Sequence, residues 1–388
     1  MRRVGAVSRG ICAPIIKQGM DLVKVVADSV TAAARQEGFT LNDRDVVGVT
    51  ESILARSQGN YATLEQIAAD VRNKMPSGKI GITLPILSRN RFSSILRGIS
   101  MAASDDGLYL QLAYPSDEVG NPLVSLDILD EKGVNPYTDV FTAEEFAQIF
   151  GNPVHPFTAI DYIEYYKEIT DNKAKIIMAN DPRAILKYTK NVICSDIHTR
   201  HRSKRLLKAA GAECVIGVDE ILNASVDGSG WHPEYGLLGS NLATDNTIKL
   251  FPRDSQEFAE KLSAVLHEMT GKNIEVLVYG DGAFKDPIGG IWELADPVVS
   301  PGFTKGLVGT PNEVKLKYLA DNINDDETAI KDFIRNEKTE SAGNINSQGT
   351  TPRRFTDLLG SLCDLTSGSG DKGTPIVLVQ GYFDSFAD

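Results

Sequence analysis

An aspartate between two glycines is the first candidate for chemistry. The segment 280–283, Gly-Asp-Gly-Ala, follows an apolar run at residues 274–279 that predicts a strand. Open α/β sheets bind ligands at the carboxyl ends of their strands, and flanking glycines let the backbone approach a phosphate or a metal closely. Asp281 is therefore a candidate ligand for Mg²⁺ or Mn²⁺, which prefer oxygen. An ordinary turn with a solvated Asp281 explains the same residues, and this segment alone leaves both interpretations open.

Further acidic residues follow this loop at Asp286, Glu293 and Asp296. They are candidates to extend a metal site or to position an amine nucleophile. Turn and helix-cap roles are the alternative for each of them.

A glycine-rich segment near the end of the chain is a candidate phosphate loop. Residues 367–374 read Ser-Gly-Ser-Gly-Asp-Lys-Gly-Thr. Successive backbone N–H groups in such a loop form an anion site, and Lys372 adds positive charge. The segment is not a Walker A motif, because its lysine lacks the required spacing and a following helix. A flexible hairpin or linker is the alternative.

The most basic stretch of this acidic chain is residues 198–208, His-Thr-Arg-His-Arg-Ser-Lys-Arg-Leu-Leu-Lys. It follows a predicted strand and begins a predicted helix, and the amino end of a helix can receive a phosphate or a carboxylate. Candidate substrate contacts are His198, Arg200 and Lys204, together with Arg89 from a second basic cluster. A solvated basic face is the alternative.

Composition disfavours several classes of protein. The net charge of -12 argues against a dedicated nucleic-acid binder. The four cysteines lie far apart without a Cys-x-x-Cys pair, which predicts free thiols. No apolar run has the length of a membrane span and the first residues lack the apolar core of a signal peptide, so we expect a cytoplasmic protein without membrane contact. The sequence also lacks Gly-x-Ser-x-Gly, His-Glu-x-x-His and Gly-x-Gly-x-x-Gly motifs, which disfavours the corresponding hydrolases and dinucleotide enzymes.

Alternating helices and strands at both ends of the chain must position these residues. Apolar residues at helical spacing predict helices at 21–36 and 254–270, and short apolar runs predict strands at 45–50, 79–84 and 375–379. Turn signals multiply in the middle of the chain, where a β-α-β unit is predicted over residues 175–218, with Gly211 as a left-handed helix cap. These patterns predict an α+β (mixed α/β) fold.

Four segments, taken in order, resemble one family. They are the motif Cys-Ala-Pro-Ile-Ile-Lys-Gln-Gly-Met-Asp-Leu at 12–22, the strand and Glu-Ser-Ile-Leu-Ala-Arg-Ser-Gln-Gly at 45–59, the helix and strand leading to Asp281, and the glycine-rich loop and strand ending at Gly381. Together they resemble the coenzyme F420-0:L-glutamate (gamma-glutamyl) ligase family. The resemblance implies a ligase-like core built from residues 1–85 and 235–388, an inserted substrate-recognition domain at 86–234, and a homodimer.

The resemblance also implies a reaction. Such enzymes use GTP, or here ATP, with Mg²⁺ or Mn²⁺ to phosphorylate a carboxylate, and the amine of an amino acid such as L-glutamate then displaces the phosphate to form an amide. Carried over, the nucleotide contacts are Ala13, Pro14, Ile15, Glu51, Ser52, Arg56, Thr244, Ser367, Gly368, Ser369, Gly370, Asp371, Lys372 and Gly373. The resemblance also implies that Asp281 binds the metal together with either Asn241 or Asp245. With Asp286 and Glu293 from the acidic residues after its loop, Asp281 completes the set of candidate catalytic residues.

The chain departs from the family pattern at three of these positions. Arg56 stands where the family has lysine, which keeps a cation. Asn241 stands where the family has a metal-binding aspartate, unless the loop shifts to place Asp245 there, and Gly282 replaces a threonine. The inserted residues are therefore expected to recognise another carboxylate-bearing small molecule.

Two other functions are left open by the sequence. A nucleotide- or metabolite-binding protein of the same fold, without catalysis, is favoured by the residues at 241 and 282. A transferase or hydrolase that uses the inserted β-α-β unit and its basic helix is the other.

Overall fold

The chain folds into two units, and the main sheet of each unit contains both parallel and antiparallel strands. A computed structural model describes residues 4–89, 91–155, 158–280, 298–311, 315–322, 326–336, 353–368 and 370–387, and the backbone of two short strands at 284–285 and 292–293. Unit 1 comprises Met1–Leu54, Asp254–Gly282 and Val298–Asp388, and unit 2 comprises Ala55–Arg253 and Ala283–Pro297. The predicted α+β class is confirmed.

The elements are numbered in chain order. The strands are β1 Val7–Ile11, β2 Val46–Thr50, β3 Tyr61–Thr63, β4 Ile80–Thr83, β5 Leu108–Leu112, β6 Phe141–Thr142, β7 Ala174–Met178, β8 Asn191–Cys194, β9 Cys214–Gly217, β10 Asn241–Thr244, β11 Thr247–Lys249, β12 Glu275–Tyr279, β13 Phe284–Lys285, β14 Trp292–Glu293, β15 Gly302–Phe303 and β16 Ile376–Gln380. The α-helices are α1 Leu22–Glu37, α2 Glu51–Gln58, α3 Leu64–Lys74, α4 Phe92–Ser100, α5 Leu126–Lys132, α6 Ala143–Phe150, α7 Tyr162–Glu168, α8 Arg200–Ala209, α9 Ser255–Thr270, α10 Leu316–Asn322, α11 Glu327–Asn336 and α12 Phe355–Ser367.

Unit 1 is built on a five-stranded sheet in the order β1-β16-β2-β12-β15. Strands β2 and β12 are parallel, and the other neighbours are antiparallel. Alternate residues of the central strands face opposite sides, so one set packs on α1 and α9 and the other set packs on α12. Because both faces are covered, the strands read as continuous apolar runs, which is why the sequence predicts them as buried.

The two long helices of unit 1 begin and end within one residue of their predicted bounds. The Asp21 side chain accepts a hydrogen bond from the Lys24 N–H at 3.1 Å and caps α1. Gly38 and Gly271 follow α1 and α9 with φ of 71° and 69°, a left-handed conformation that glycine adopts without strain.

Unit 2 is built on a six-stranded sheet in the order β6-β7-β5-β4-β8-β9. Strands β4, β5, β7, β8 and β9 are all parallel, and β6 adds an antiparallel edge. The predicted β-α-β unit is confirmed as β8, α8 and β9, and Gly211 has the expected positive φ of 88°.

The bounds of the units differ from the predicted domain bounds. The expected divisions at residues 85 and 235 both fall inside unit 2. The reason is that β4 pairs with β5 and β8, and that β3 pairs with β11 across the chain. Within the described part of the chain, no helix combines the length and apolar character that a membrane span needs.

Candidate functional site

Four chain connections meet at one edge of the five-stranded sheet of unit 1. The register places Ile11 beside Ile376, Ile376 beside Val49, and Tyr279 beside Thr50. The carboxyl ends of β1, β2 and β12 and the amino end of β16 therefore lie at the same edge. We call this the loop edge; it gathers the segment after β1, the start of α2, Gly280 and the segment 367–375.

Hydrogen bonds tie these connections together. The Ala13 N–H donates to the Gly373 carbonyl at 3.2 Å, and the Thr50 N–H donates to the Pro375 carbonyl at 3.0 Å. The Tyr279 hydroxyl donates to the same Pro375 carbonyl at 3.4 Å. Two regions that the resemblance assigns to the nucleotide, one from each end of the chain, are thus in direct contact.

The glycine-rich segment turns back on itself at this edge. It begins where α12 ends at Ser367, and the Thr374 hydroxyl donates to the Ser367 carbonyl at 3.1 Å. Gly368 and Gly373 have φ of 63° and 64°, which requires glycine. Gly370, Asp371, Lys372 and Gly373 are all exposed, whereas Ser369 lies outside the described residues.

The start of α2 and the segment after β1 add both polar and apolar groups. Glu51 is 5% exposed in the first turn of α2, directly after β2. Ser52 and Arg56 are one helical turn apart on the same helix, and Arg56 is exposed. After β1, Pro14 is exposed and Ile15 is 79% exposed, which gives the loop edge an apolar surface.

The side chains of three predicted catalytic and metal-binding residues lie outside the part of the chain that the structure describes. Asp281 and Asp286 lie outside the described residues, and Glu293 is described only as part of the β14 backbone. The residue before Asp281 is anchored, since the Gly280 N–H donates to the Val299 carbonyl at 2.9 Å. These assignments stay predictions.

The other metal and nucleotide candidates lie in unit 2, on the hairpin formed by β10 and β11. Asn241 is half-buried beside Lys249, and Thr244 and Asp245 are exposed near the turn. The Asp245 carbonyl accepts from the Arg97 guanidinium at 2.8 Å. No group of three His, Cys, Asp or Glu side chains that could hold a metal ion occurs among the described residues.

Two of the basic residues predicted to bind substrate have partners within unit 2. Arg200 is buried, and its Nε lies 2.8 Å from Asp219 Oδ1. Lys204 forms an ion pair with Glu220. His198 and Arg89 are exposed. The ion pairs give Arg200 and Lys204 structural roles, and substrate binding by these four residues stays a prediction.

Sequence reasoning missed three acidic residues, Asp117, Glu118 and Asp196, which line a cavity at the carboxyl ends of the unit 2 strands. Asp117 belongs to a segment that reads as a turn. Asp196 follows the buried strand β8, and this is the same signal that selects Asp281. Applied to every strand, that signal would have found Asp196.

The comparison with protein families identifies the class to which the chain belongs. The model of the F420-0:Gamma-glutamyl ligase family matches residues 10–381, a range that includes the whole of the middle stretch. The chain belongs to this family, which confirms the resemblance of the four segments. It is therefore an amide-forming ligase. The comparison with curated proteins found no match.

Proposed function

We propose that the chain uses GTP, or ATP in its place, to join the amine of an amino acid such as L-glutamate to a small carboxylate through an acyl phosphate. Family membership supports the amide-forming reaction. The contact between the Ala13 N–H and the Gly373 carbonyl supports the nucleotide site, because it joins two of the segments assigned to the nucleotide, residues 13–15 and 367–373, at the loop edge.

The reaction has two balanced steps. A carboxylate oxygen attacks the γ-phosphorus, the bond to the bridging oxygen breaks, and the nucleoside diphosphate leaves. The amine nitrogen then attacks the acyl carbon, the carbon–oxygen bond breaks, phosphate leaves and the amine loses a proton. In this proposal the N–H groups of segment 367–374, with Lys372 and Arg56, hold the negative phosphates. Asp281, Asp286 and Glu293 are the proposed groups that position the amine and accept its proton.

A divalent cation, Mg²⁺ or Mn²⁺, is proposed as the cofactor, with Asp281 as its ligand and Asn241 or Asp245 as a second. When bound, such an ion neutralises phosphate charge. The described residues supply no complete set of ligands on their own.

Nucleotide binding tests the first half of the proposal. A ligand that binds the folded state raises its melting temperature, so GTP with Mn²⁺ should raise the melting temperature of the chain more than Mn²⁺ alone. Lys372→Ala removes one charged phosphate contact and should weaken binding by roughly tenfold to a hundredfold. Arg35→Ala removes an exposed cation at the far end of α1 and should leave binding unchanged. If neither GTP nor ATP raises the melting temperature, the proposed loop edge does not bind nucleotide.

Phosphate release tests the second half. Release should require both L-glutamate and a carboxylate acceptor, with F420-0 as the first acceptor to try, and Asp281→Asn should abolish it. Release that continues without either substrate would mean simple hydrolysis and would contradict the ligase mechanism. The homodimer and the cytoplasmic location stay predictions, and sedimentation of the purified chain tests the dimer.

A further inference from the structure

A cavity lies at the place in the unit 2 sheet where ligands most often bind. In chain order, the parallel strands run 3-2-1-4-5 across the sheet, so the connections from β4 and from β8 lead to opposite sides. Open α/β sheets bind ligands at this switch point, outside the carboxyl ends of the strands. The cavity, of about 260 Å³, is lined there by Leu84 after β4, by residues 113–118 after β5, and by Asp196 and Thr199 after β8.

The lining of this cavity is acidic. It contains the carboxyl groups of Asp117, Glu118 and Asp196 and no lysine, arginine or histidine side chain. The Asp117 carboxylate is already saturated, since it accepts hydrogen bonds from four N–H groups of the surrounding loops. A ligand with positive charge therefore fits this cavity better than an anion does.

Glu118 closes the obvious anion site. Its carboxylate accepts hydrogen bonds from the backbone N–H groups of Ile197, His198 and Thr199, which precede α8. These N–H groups would otherwise attract a phosphate or a carboxylate. Because Glu118 accepts these hydrogen bonds, the backbone N–H groups before the amino end of α8 already have a partner within unit 2.

One carboxylate oxygen of Asp196 accepts no hydrogen bond from the described residues. The side chain is 0% exposed. Its Oδ2 accepts from the Thr199 hydroxyl at 2.7 Å and from the Ser203 hydroxyl at 2.9 Å. Its Oδ1 is buried and has no hydrogen-bond partner among the described residues. Arg200 bonds the main-chain oxygen of Asp196 rather than its carboxylate, and the Arg200 charge is matched by Asp219.

A buried carboxylate oxygen without a donor is unfavourable, and a cationic donor in the cavity would remove that penalty. We propose that this cavity binds the ammonium group of a small amine, with the Asp196 carboxylate as its counter-ion. The cavity, at about 260 Å³, is large enough to admit an amino acid or a short diamine. A metal ion fits less well, because no three metal-binding side chains come together among the described residues. The inference concerns unit 2 alone and does not depend on the nucleotide chemistry proposed for unit 1.

Calorimetric titration of the full chain without nucleotide or metal tests this inference. The probes are putrescine and L-glutamate, and the matched ligands are 1,4-butanediol and N-acetyl-L-glutamate, which have the same carbon chains but no ammonium group. At least one amine should bind to saturation, and its counterpart should bind at least about tenfold more weakly, the loss expected for one charge-assisted hydrogen bond.

Three variants locate the site. Asp196→Asn should weaken amine binding by about tenfold or more. Ala113→Leu fills the cavity from its wall without changing any charge, and it should block binding even if Asp196→Asn folds poorly. Glu131→Gln, an exposed acid on α5, should bind as the unaltered chain does.

Four results would overturn the inference. They are no saturable binding of either amine, equal binding of 1,4-butanediol and putrescine, unchanged binding in both cavity variants, or displacement of the amine by an equal concentration of Mg²⁺. If the amines fail to bind while GTP still raises the melting temperature, only this inference is lost. If GTP fails while an amine binds at Asp196, only the proposed nucleotide site is lost.

Discussion

A methyl group added at Gly48 should destabilise the sheet that carries the loop edge. Gly48 lies in the middle of β2 and is paired on both sides, with Val377 and with Leu277. A Cβ atom at this position would meet the Cys363 sulfur at 2.5 Å and Tyr279 Cδ1 at 3.3 Å. Ordinary contacts of this kind are ~3.5–4.0 Å, so the sulfur would be about an ångström too close. Neither neighbour can move away freely, because Cys363 and Tyr279 are both buried.

The cost follows from the overpacking. Inserting a methyl group into a filled core typically costs about 1–3 kcal/mol. We expect Gly48→Ala to lower the free energy of unfolding of unit 1 by about 2 kcal/mol, which corresponds to a fall in melting temperature of roughly 4–8 °C for a unit of this size. Gly5→Ala, where a Cβ atom would meet nothing within 4 Å, is the control and should change stability by less than about 0.5 kcal/mol.

A double-mutant cycle with Cys363→Ala separates the clash from other effects. Removing the sulfur leaves the Cys363 Cβ atom as the nearest contact to the new methyl group, at 3.2 Å, which a small shift can relieve. The double variant should therefore lose about 1–2 kcal/mol less than the sum of the single variants. Urea unfolding of the four proteins measures this coupling. Strictly additive losses, or a Gly48→Ala variant as stable as the parent, would refute the packing described for β2 and α12.

The remaining predictions concern the site residues and pH. Arg200→Met should lower the stability of unit 2 by about 3–5 kcal/mol, because it leaves the mostly buried Asp219 without its partner. Arg202→Met, at an exposed position on the same helix, should change the stability by less than about 0.5 kcal/mol. Equal effects of the two variants in urea unfolding would show that the ion pair between Arg200 and Asp219 does not matter. Cys12 is exposed beside the loop edge, so a thiol reagent should modify it before the other cysteines. GTP with Mn²⁺, at ten times its dissociation constant, should slow that modification about tenfold. Labelling of Cys12 that is not slowed at saturating nucleotide would place the nucleotide elsewhere. Burial lowers the pKa of His155 below its ordinary 6.5, so the unfolded chain takes up the proton at a higher pH than the folded chain does. The stability of unit 2 that is present above pH 6.5 should therefore fall as the pH drops below 6.5. His155→Gln should weaken this pH dependence of stability between pH 7.5 and 5.5, and a steeper dependence in the variant would contradict the sign.

Local elements could be predicted from the sequence because their signals are local. The helix α1 has its cap at Asp21, its apolar face and its final Gly38 within one short segment. Strand composition, in contrast, does not say which sheet a strand joins. The apolar run of β4 fits either unit, and only its pairing with β5 and β8 assigns it to unit 2. The unit bounds depend on such long-range pairings, and so they were not predictable from residue patterns.

The candidate sites were likewise predictable only where the signal is a local motif. The order of the motifs predicted a family, and the register of the unit 1 strands accounts for why residues near 13, 51 and 373 belong together at one edge. The cavity of unit 2 left no comparable motif. Glu118 satisfies N–H groups some 80 positions further along the chain, and the significance of Asp196 depends on which of its two oxygens has a donor. Neither relation has a counterpart in local spacing.

The position of β16 between β1 and β2 has a consequence for how the protein is made. The two partners of β16 leave the ribosome early, yet the Arg9 side chain has to find Gln380, a residue 371 positions later. At a synthesis rate of about 5–20 residues per second, β1 therefore waits roughly 20–70 s for β16, its neighbour in the sheet formed by the described residues. Throughout that interval the edges of β1 and β2 that later pair with β16 are open to other extended chains, so the synthesis of unit 1 includes a period in which strand mispairing is possible.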